Sequence, residues 1–72
     1  MTSAEIEVAY NSETTARLRE LFKDIYTPEE FGMYLALPNI LFGGKSELEM
    51  IHEGRDEECL QIARQLTDGA YT

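Results

Sequence analysis

The sequence predicts a small all-α protein, an irregular bundle of about four short helices. Three observations favour this fold: well-marked helix caps, apolar residues at helical spacing after those caps, and glycines where the helices should end. With 72 residues, 43% of them hydrophobic, the chain can build one modest core but no two-layer Rossmann sheet or barrel. The segments are too short for a regular up-down bundle, so we expect irregular, orthogonal packing.

The first predicted helix begins after Ser12, a favourable N-cap residue, and runs to about Ile25. Its apolar residues recur at i, i+3, i+4 and i+7 on one helical face: Leu18, Leu21, Phe22 and Ile25. Residues 1–11 show only a weak alternation of apolar and polar side chains, and a lone strand cannot bury itself. We therefore expect residues 1–11 to form a flexible arm and residues 12–72 a single helical domain.

The clearest helix start in the chain is Thr27-Pro28-Glu29-Glu30. A threonine cap, a proline at the first helical position and a glutamate three residues after the cap form a capping box with a favourable first turn. This helix must stop near Leu37, because Pro38 disfavours helical dihedral angles in the residue before it. Its inward side chains should be Phe31, Tyr34 and Leu35.

The middle of the chain combines a short apolar segment, Asn39–Phe42, with the dipeptide Gly43-Gly44. We predict a turn or a single helical turn for the segment and a break with positive φ for the glycines. A third helix, Glu47–Glu53, should follow, because Ser46 and Glu49 form another capping box. It should bury Leu48 and Ile51 and end at Gly54.

The last predicted helix is capped by Asp56 and runs from Glu57 to about Thr67, with Gly69 after its end. Small and apolar residues at helical spacing form its predicted buried stripe, with Ile62 at the margin: Cys59, Leu60, Ala63 and Leu66. The remaining residues, 70–72, should form a short tail.

The charge of the chain disfavours two classes of partner. Its 14 acidic and 6 basic residues give a net charge of −8, which repels nucleic-acid phosphates and anionic membrane surfaces. No apolar run approaches the roughly 20 residues of a membrane span, and the first residues lack the pattern of a secretory signal. One cysteine, Cys59, cannot form an internal disulfide. The sequence therefore predicts a cytoplasmic protein with no direct nucleic-acid or membrane contact.

Three short patterns suggest chemistry, but each has a simpler explanation. Glu49-Met50-Ile51-His52 has the Glu-x-x-His spacing of carboxylate-bridged metal sites, which need a second such motif. Cys59 would need a base to act as a nucleophile, and His52 is the sole histidine. Gly43-Gly44-Lys45-Ser46 matches the end of a phosphate loop, but Asn39 stands where the first glycine belongs. We therefore predict no metal, no cofactor and no catalytic residue.

A longer pattern runs through the second half of the chain: Tyr34-Leu35, Pro38-Asn39, Leu41, Gly43-Gly44-Lys45-Ser46, Leu48-Glu49, Ile51, Gly54, Leu60 and Leu66. This pattern resembles the toxin-binding domain of the Xre/MbcA/ParS-like antitoxin family of bacteria, over about residues 28–72. The sequence departs from the family in having Tyr34 for a common tryptophan, Glu47 for a proline and the additional Phe42. We expect no helix-turn-helix of the kind that lets such antitoxins bind operator DNA.

The resemblance implies a non-enzymatic protein-binding module. In that family the domain pairs with a RES-type toxin or a similar NAD-consuming enzyme, and its last helix and tail occlude the active-site cleft. The implied partner-binding residues here are Gly54, Arg55, Gln61, Arg64, Gln65, Gly69, Ala70 and Tyr71. The implied scaffold residues are Gly43, Gly44, Lys45, Ser46, Leu48, Glu49 and Ile51.

An alternative from another class stays open at this point, a structural unit that forms a homodimer. A core this small, with apolar residues on several faces, can be completed by a second copy of the chain. Tyr71 is compatible with a contact residue or with a free tail.

Overall fold

The computed structural model describes residues 1–69, which form five α-helices and one 3-10 turn. The helices are α1 (Ser3–Tyr10), α2 (Glu13–Phe22), α3 (Pro28–Ala36), α4 (Glu47–His52) and α5 (Asp56–Gly69), and the 3-10 turn is Ile40–Phe42. The fold is all-α, as the sequence predicts. It has one more helix than expected, because residues near the N-terminus are also helical.

Helix α1 replaces the flexible arm expected for residues 1–11. It begins with a capping box, in which the Thr2 hydroxyl accepts from the Glu5 amide and the Glu5 carboxylate accepts from the Thr2 amide. At its other end, the carbonyl of Ala9 accepts hydrogen bonds of 2.7 Å from the hydroxyls of Ser12 and Thr15. These local hydrogen bonds satisfy both ends of a helix of only 8 residues.

The alternating apolar residues of α1 were misleading because they do not form its buried face. Ile6, Val8 and Tyr10 are all exposed, and α1 contacts the core through Ala9, which is 2% exposed. A small residue lets two backbones approach closely without contributing to a periodic apolar pattern. The sequence signal for this helix is therefore its cap and not its hydrophobicity.

Helices α2 and α3 follow the sequence prediction closely. Leu18 and Phe22 of α2 are buried, but the helix ends at Phe22 and leaves Ile25 exposed. The capping box at Thr27 is present, and α3 buries Phe31 and Leu35. The helix ends at Ala36, one residue before the expected limit.

The predicted turn between α3 and α4 is present and is closed by backbone hydrogen bonds. Gly43 and Gly44 have φ angles of 66° and 91°, in the left-handed region expected for them. The Asn39 amide donates to the carbonyl of Lys45 at 2.9 Å and forms an isolated antiparallel bridge. The loop places Ser46 at the start of α4, where it forms the predicted capping box with Glu49.

Helix α4 ends in a Schellman motif at Gly54, which has a φ of 79°. The Gly54 amide donates to the carbonyl of Ile51, and the Arg55 amide donates to the carbonyl of Met50. Helix α5 begins at Asp56, so this residue is the first of the helix and not the cap that we predicted. The chain thus turns from α4 into α5 within three residues, 53–55.

The core lies around α4, which contacts α1, α3 and α5, while α2 packs along α5. Leu48 and Ile51 are buried as predicted. The buried stripe of α5 differs from the prediction at one position, since Leu66 is 46% exposed and Thr67 is buried. The Thr67 hydroxyl donates to the carbonyl of Ala63 at 3.0 Å, so it is satisfied within the helix. Within residues 1–69, no helix has the length and apolar character to cross a membrane.

Two glycine substitutions should change stability in opposite directions. Gly54→Ala places a side chain at a φ of 79° and should lower the free energy of unfolding by about 1–2 kcal/mol. Gly32→Ala lies inside α3, meets no atom within 4 Å, and should raise it by about 0.5–1 kcal/mol. Urea unfolding followed by circular dichroism measures both; equal effects at the two sites would contradict this account of the α4–α5 turn.

Candidate functional site

A carboxyl group is buried where α3, α4 and α5 meet. Glu47, the first residue of α4, is 0% exposed, and its Oε1 accepts a 2.7 Å hydrogen bond from the hydroxyl of Tyr34. Its other oxygen, Oε2, is buried and has no hydrogen-bond partner in the described part of the chain. The fully buried Cys59 of α5 lies beside the same carboxyl group. We call Tyr34, Glu47 and Cys59 the buried polar cluster.

Burial governs the protonation of the buried polar cluster. It raises the pKa of Glu47 above its ordinary value, while the hydrogen bond from Tyr34 and the nearby Cys59 thiol oppose that shift. Burial also raises the pKa of Tyr34 and the pKa of Cys59, and in both cases the Glu47 carboxyl group adds to the shift. Tyrosine and cysteine are therefore held in their neutral forms, which suits a structural role better than nucleophilic chemistry.

Contacts with two other aromatic rings position the Tyr34 ring next to this carboxyl group. Its ring centroid lies 4.9 Å from that of Phe22 and 5.5 Å from that of Tyr26, and the two tyrosine rings are stacked. These contacts join the α2 end, the turn after it and α3 in one aromatic group. Tyr34 thus has one buried end that binds Glu47 and a ring that reaches the surface.

Two further polar contacts link helices that are distant in sequence. The Thr14 hydroxyl of α2 donates to the Asp56 carboxylate of α5 at 2.6 Å. His52 of α4 lies with its Nε2 2.8 Å from Oε2 of Glu5 in α1. Asp56 therefore acts between helices rather than as the predicted cap, and the histidine considered as a base for Cys59 is paired with Glu5. No group of three metal-ligating side chains occurs among residues 1–69.

The partner-binding residues implied by the resemblance lie on or next to α5 where the structure describes them. Gln61, Arg64 and Gln65 are exposed on the outer face of this helix. Gly54 and Arg55 are exposed in the α4–α5 turn, where Arg55 pairs with Glu58. The α5 helix extends to Gly69, and the predicted contact residues Ala70 and Tyr71 lie outside the described residues.

The implied scaffold residues lie together in the turn and in α4. Ser46 is buried and caps α4, Glu49 completes the capping box, and Lys45 pairs with Glu53 at 2.6 Å. The remaining scaffold residues are the two turn glycines and the buried pair of α4: Gly43, Gly44, Leu48 and Ile51. They shape the α3–α4 connection and, through α4, the position of α5.

The sequence interpretation missed Glu47 as a residue of interest. An acidic residue in the first turn of a capped helix usually faces solvent and complements the helix dipole. Only the packing of α3 and α5 against α4 shows that this carboxyl group is enclosed. The departure from proline at this position, noted in the family resemblance, was the one available signal.

No protein-family model matches the chain, and neither a curated protein nor a solved structure shows significant similarity to it. The resemblance to the antitoxin family thus stays a prediction from sequence motifs.

Replacing Glu47 should change how stability depends on pH. The raised pKa means that the folded chain binds this proton more tightly than the unfolded chain, whose carboxyl group has the ordinary value of 4.5. The free energy of unfolding should therefore fall as pH rises above 4.5 until the folded-state pKa is passed. Glu47→Gln keeps an oxygen for the Tyr34 hydroxyl and should lack this fall.

The measurement is urea unfolding at a series of pH values, with Glu57→Gln as the charge-matched control on the exposed first turn of α5. Hydrogen bonds from Thr2, Lys45 and Arg55 lower the pKa values of Glu5, Glu53 and Glu58. The stabilisation that these three carboxylates give to the fold is therefore lost as the pH falls below the pKa of an ordinary carboxyl group. The contribution of these three groups therefore appears below pH 4.5, whereas that of Glu47 appears above pH 4.5. If the free energy of unfolding changed with pH in the same way for wild type and Glu47→Gln, burial would not raise the pKa of the Glu47 carboxyl group.

Cys59 should be protected from thiol reagents in the folded chain. Because it is fully buried and its pKa is raised, native Cys59 should react about 100-fold or more slowly with an aromatic disulfide than the unfolded chain does. Gln61→Cys provides a matched control, since it adds an exposed thiol to the same helix. That variant should show one fast and one slow phase in absorbance, whereas two fast phases would show that Cys59 is accessible.

Proposed function

We propose that this chain is a non-enzymatic, antitoxin-like protein-binding module. It occludes or regulates a partner enzyme through the outer face of α5 and the residues that follow it. The observation that supports this proposal is the exposed face of α5, where an apolar side chain lies among polar ones that have no role in the core. A RES-type or similar NAD-consuming toxin is the partner that the sequence resemblance suggests.

The outer face of α5 has the composition of a protein contact surface. Leu66 is exposed, and the half-buried Ile62 lies one helical turn before it on the same side. This pair borders the buried stripe of α5, and Gln61 and Gln65, also one turn apart, lie next to it on the outward side. Apolar side chains with hydrogen-bonding neighbours are the usual arrangement of an interface, and the buried residues of α5, among them Cys59, hold the helix against the core.

The charge of the chain favours the same kind of partner. A cleft that binds an anionic dinucleotide is commonly basic, and a chain with a net charge of −8 would be attracted to it. The acidic first turn of α5, with Asp56, Glu57 and Glu58, contributes to this charge. Association should therefore be fast and should slow as salt concentration rises.

A pair of substitutions tests the contact face once a partner is identified. A photo-crosslinking residue at Gln65 should capture that partner from the native cells, and the same residue at the exposed Glu20 of α2 should not. Leu66→Asp should then weaken binding to the captured protein by about tenfold or more. Val8→Asp, an equivalent change at a residue of α1 that is 73% exposed, should leave affinity unchanged.

Isothermal titration calorimetry measures these affinities, and NAD consumption by the captured enzyme should fall when the chain is added in equal amount. Equal effects of the two aspartate variants would contradict a contact face on α5. Capture of a second copy of this chain alone would favour the homodimer. A captured protein without NAD-consuming activity would remove the toxin-like partner from the proposal.

A further inference from the structure

An apolar groove crosses the surface formed by α3 and the 3-10 turn. It consists of two adjoining cavities, of about 280 and 430 Å³, that share Tyr34 and Leu37 in their walls. Tyr26, Glu30 and Met33 also line the first cavity, and Ile40 is among the other residues that line the second. We call it the tyrosine groove; all of its lining residues come from the segment 26–40, outside α5 and the surface proposed above.

The apolar side chains along the tyrosine groove are unusually exposed. Ile40 is 91% exposed, and Met33 and Leu37 are each more than half exposed. Leaving such a side chain in water forgoes about 1.5–3 kcal/mol of burial free energy. Single exposed apolar residues are common, but three that line one continuous depression are typical of a binding surface.

The floor of the groove is rigid. The hydroxyl of Tyr34 is tied to the buried carboxyl group of Glu47, and its ring is stacked on Tyr26. These contacts position both tyrosine rings in the free chain. A preformed apolar floor reduces the entropy that a ligand segment must lose on binding.

The charge at one end of the groove indicates what it binds. Glu30 is the charged side chain in its walls, and Glu29 stands beside it on the exposed first turn of α3. Both precede Met33 by about one helical turn, so the apolar strip begins at an acidic end. A lysine or arginine of a ligand placed there would meet the Glu30 carboxylate, whose Oε1 also accepts from the Thr27 amide.

The spacing of the apolar groups favours a helix as the ligand. Met33, in the last turn of α3, and Leu37, the residue that follows the helix, are four residues apart, and an amphipathic helix presents apolar side chains at the same spacing. A second copy of this chain is a poor occupant, because two chains of net charge −8 repel each other. We propose that the tyrosine groove is the docking site for a short basic amphipathic helix of a partner protein.

A model peptide serves as the probe for this proposal. It is a fluorescein-labelled helix of about 14 residues, with leucines on one face and lysines on the other, and its control has glutamate in place of every lysine. Fluorescence anisotropy at roughly 0.15 M salt reports binding to the full chain. We expect the lysine peptide to bind and the glutamate peptide to bind about tenfold or more weakly.

Matched variants separate the groove from other acidic or apolar surfaces. Ile40→Ser should weaken binding of the lysine peptide by about fivefold or more, whereas Val8→Ser, at another exposed apolar site in α1, should change it less than about twofold. Glu30→Gln should weaken binding more than Glu57→Gln, which removes the same charge from α5. Circular dichroism verifies that each variant is folded.

Equal losses for Ile40→Ser and Val8→Ser, or equal binding of the two peptides, would overturn the proposal. Sedimentation that shows a dimer of the chain, dissociated by Ile40→Ser, would also overturn it and assign the groove to a second copy. Leu66→Asp provides the link to the proposed function. If Leu66→Asp leaves peptide binding unchanged, the groove and the α5 face are separate surfaces, and each proposal can fail without the other. If Leu66→Asp abolishes peptide binding, the peptide site is not confined to α3 and the 3-10 turn.

Discussion

The fold depends on the burial of a helix of six residues, α4, among three others. A helix this short is unstable by itself, so its capping box, its Schellman motif and its tertiary contacts must all form together. Burial of Leu48, Met50 and Ile51 supplies the apolar part of those contacts. The same burial encloses Glu47, whose carboxyl group can be accommodated because the Tyr34 hydroxyl donates to it.

The Tyr34–Glu47 hydrogen bond connects the interior to the surface. In the interior, it satisfies one oxygen of the buried Glu47 carboxyl group. At the surface, it positions the Tyr34 ring, which lines the tyrosine groove. Cys59 brings α5 to the same point and is kept neutral there. The position of α5, and therefore of its outer face, depends on the same cluster that shapes the groove. Both proposed binding surfaces therefore depend on the buried polar cluster for their positions, although they share no residue.

The described residues combine a well-specified fold with several large apolar side chains that stay outside the core. Glycines with positive φ and capping residues define the turns, while the core is made from one to three apolar residues of each helix. Several large apolar side chains therefore remain outside the core, among them Leu37, Ile40 and Leu66.

Local rules were enough to predict most of the fold from sequence. The caps at Ser12, Thr27 and Ser46, and the turn at Gly43-Gly44, depend on residues within a few positions of one another, so the sequence determined them by itself. The packing of α1 through Ala9, the exposure of Leu66 and the burial of Glu47 depend on which faces meet in space. Only the tertiary structure decided these, because a small contact residue such as Ala9, or an acid enclosed by distant helices, leaves no periodic signal in the chain.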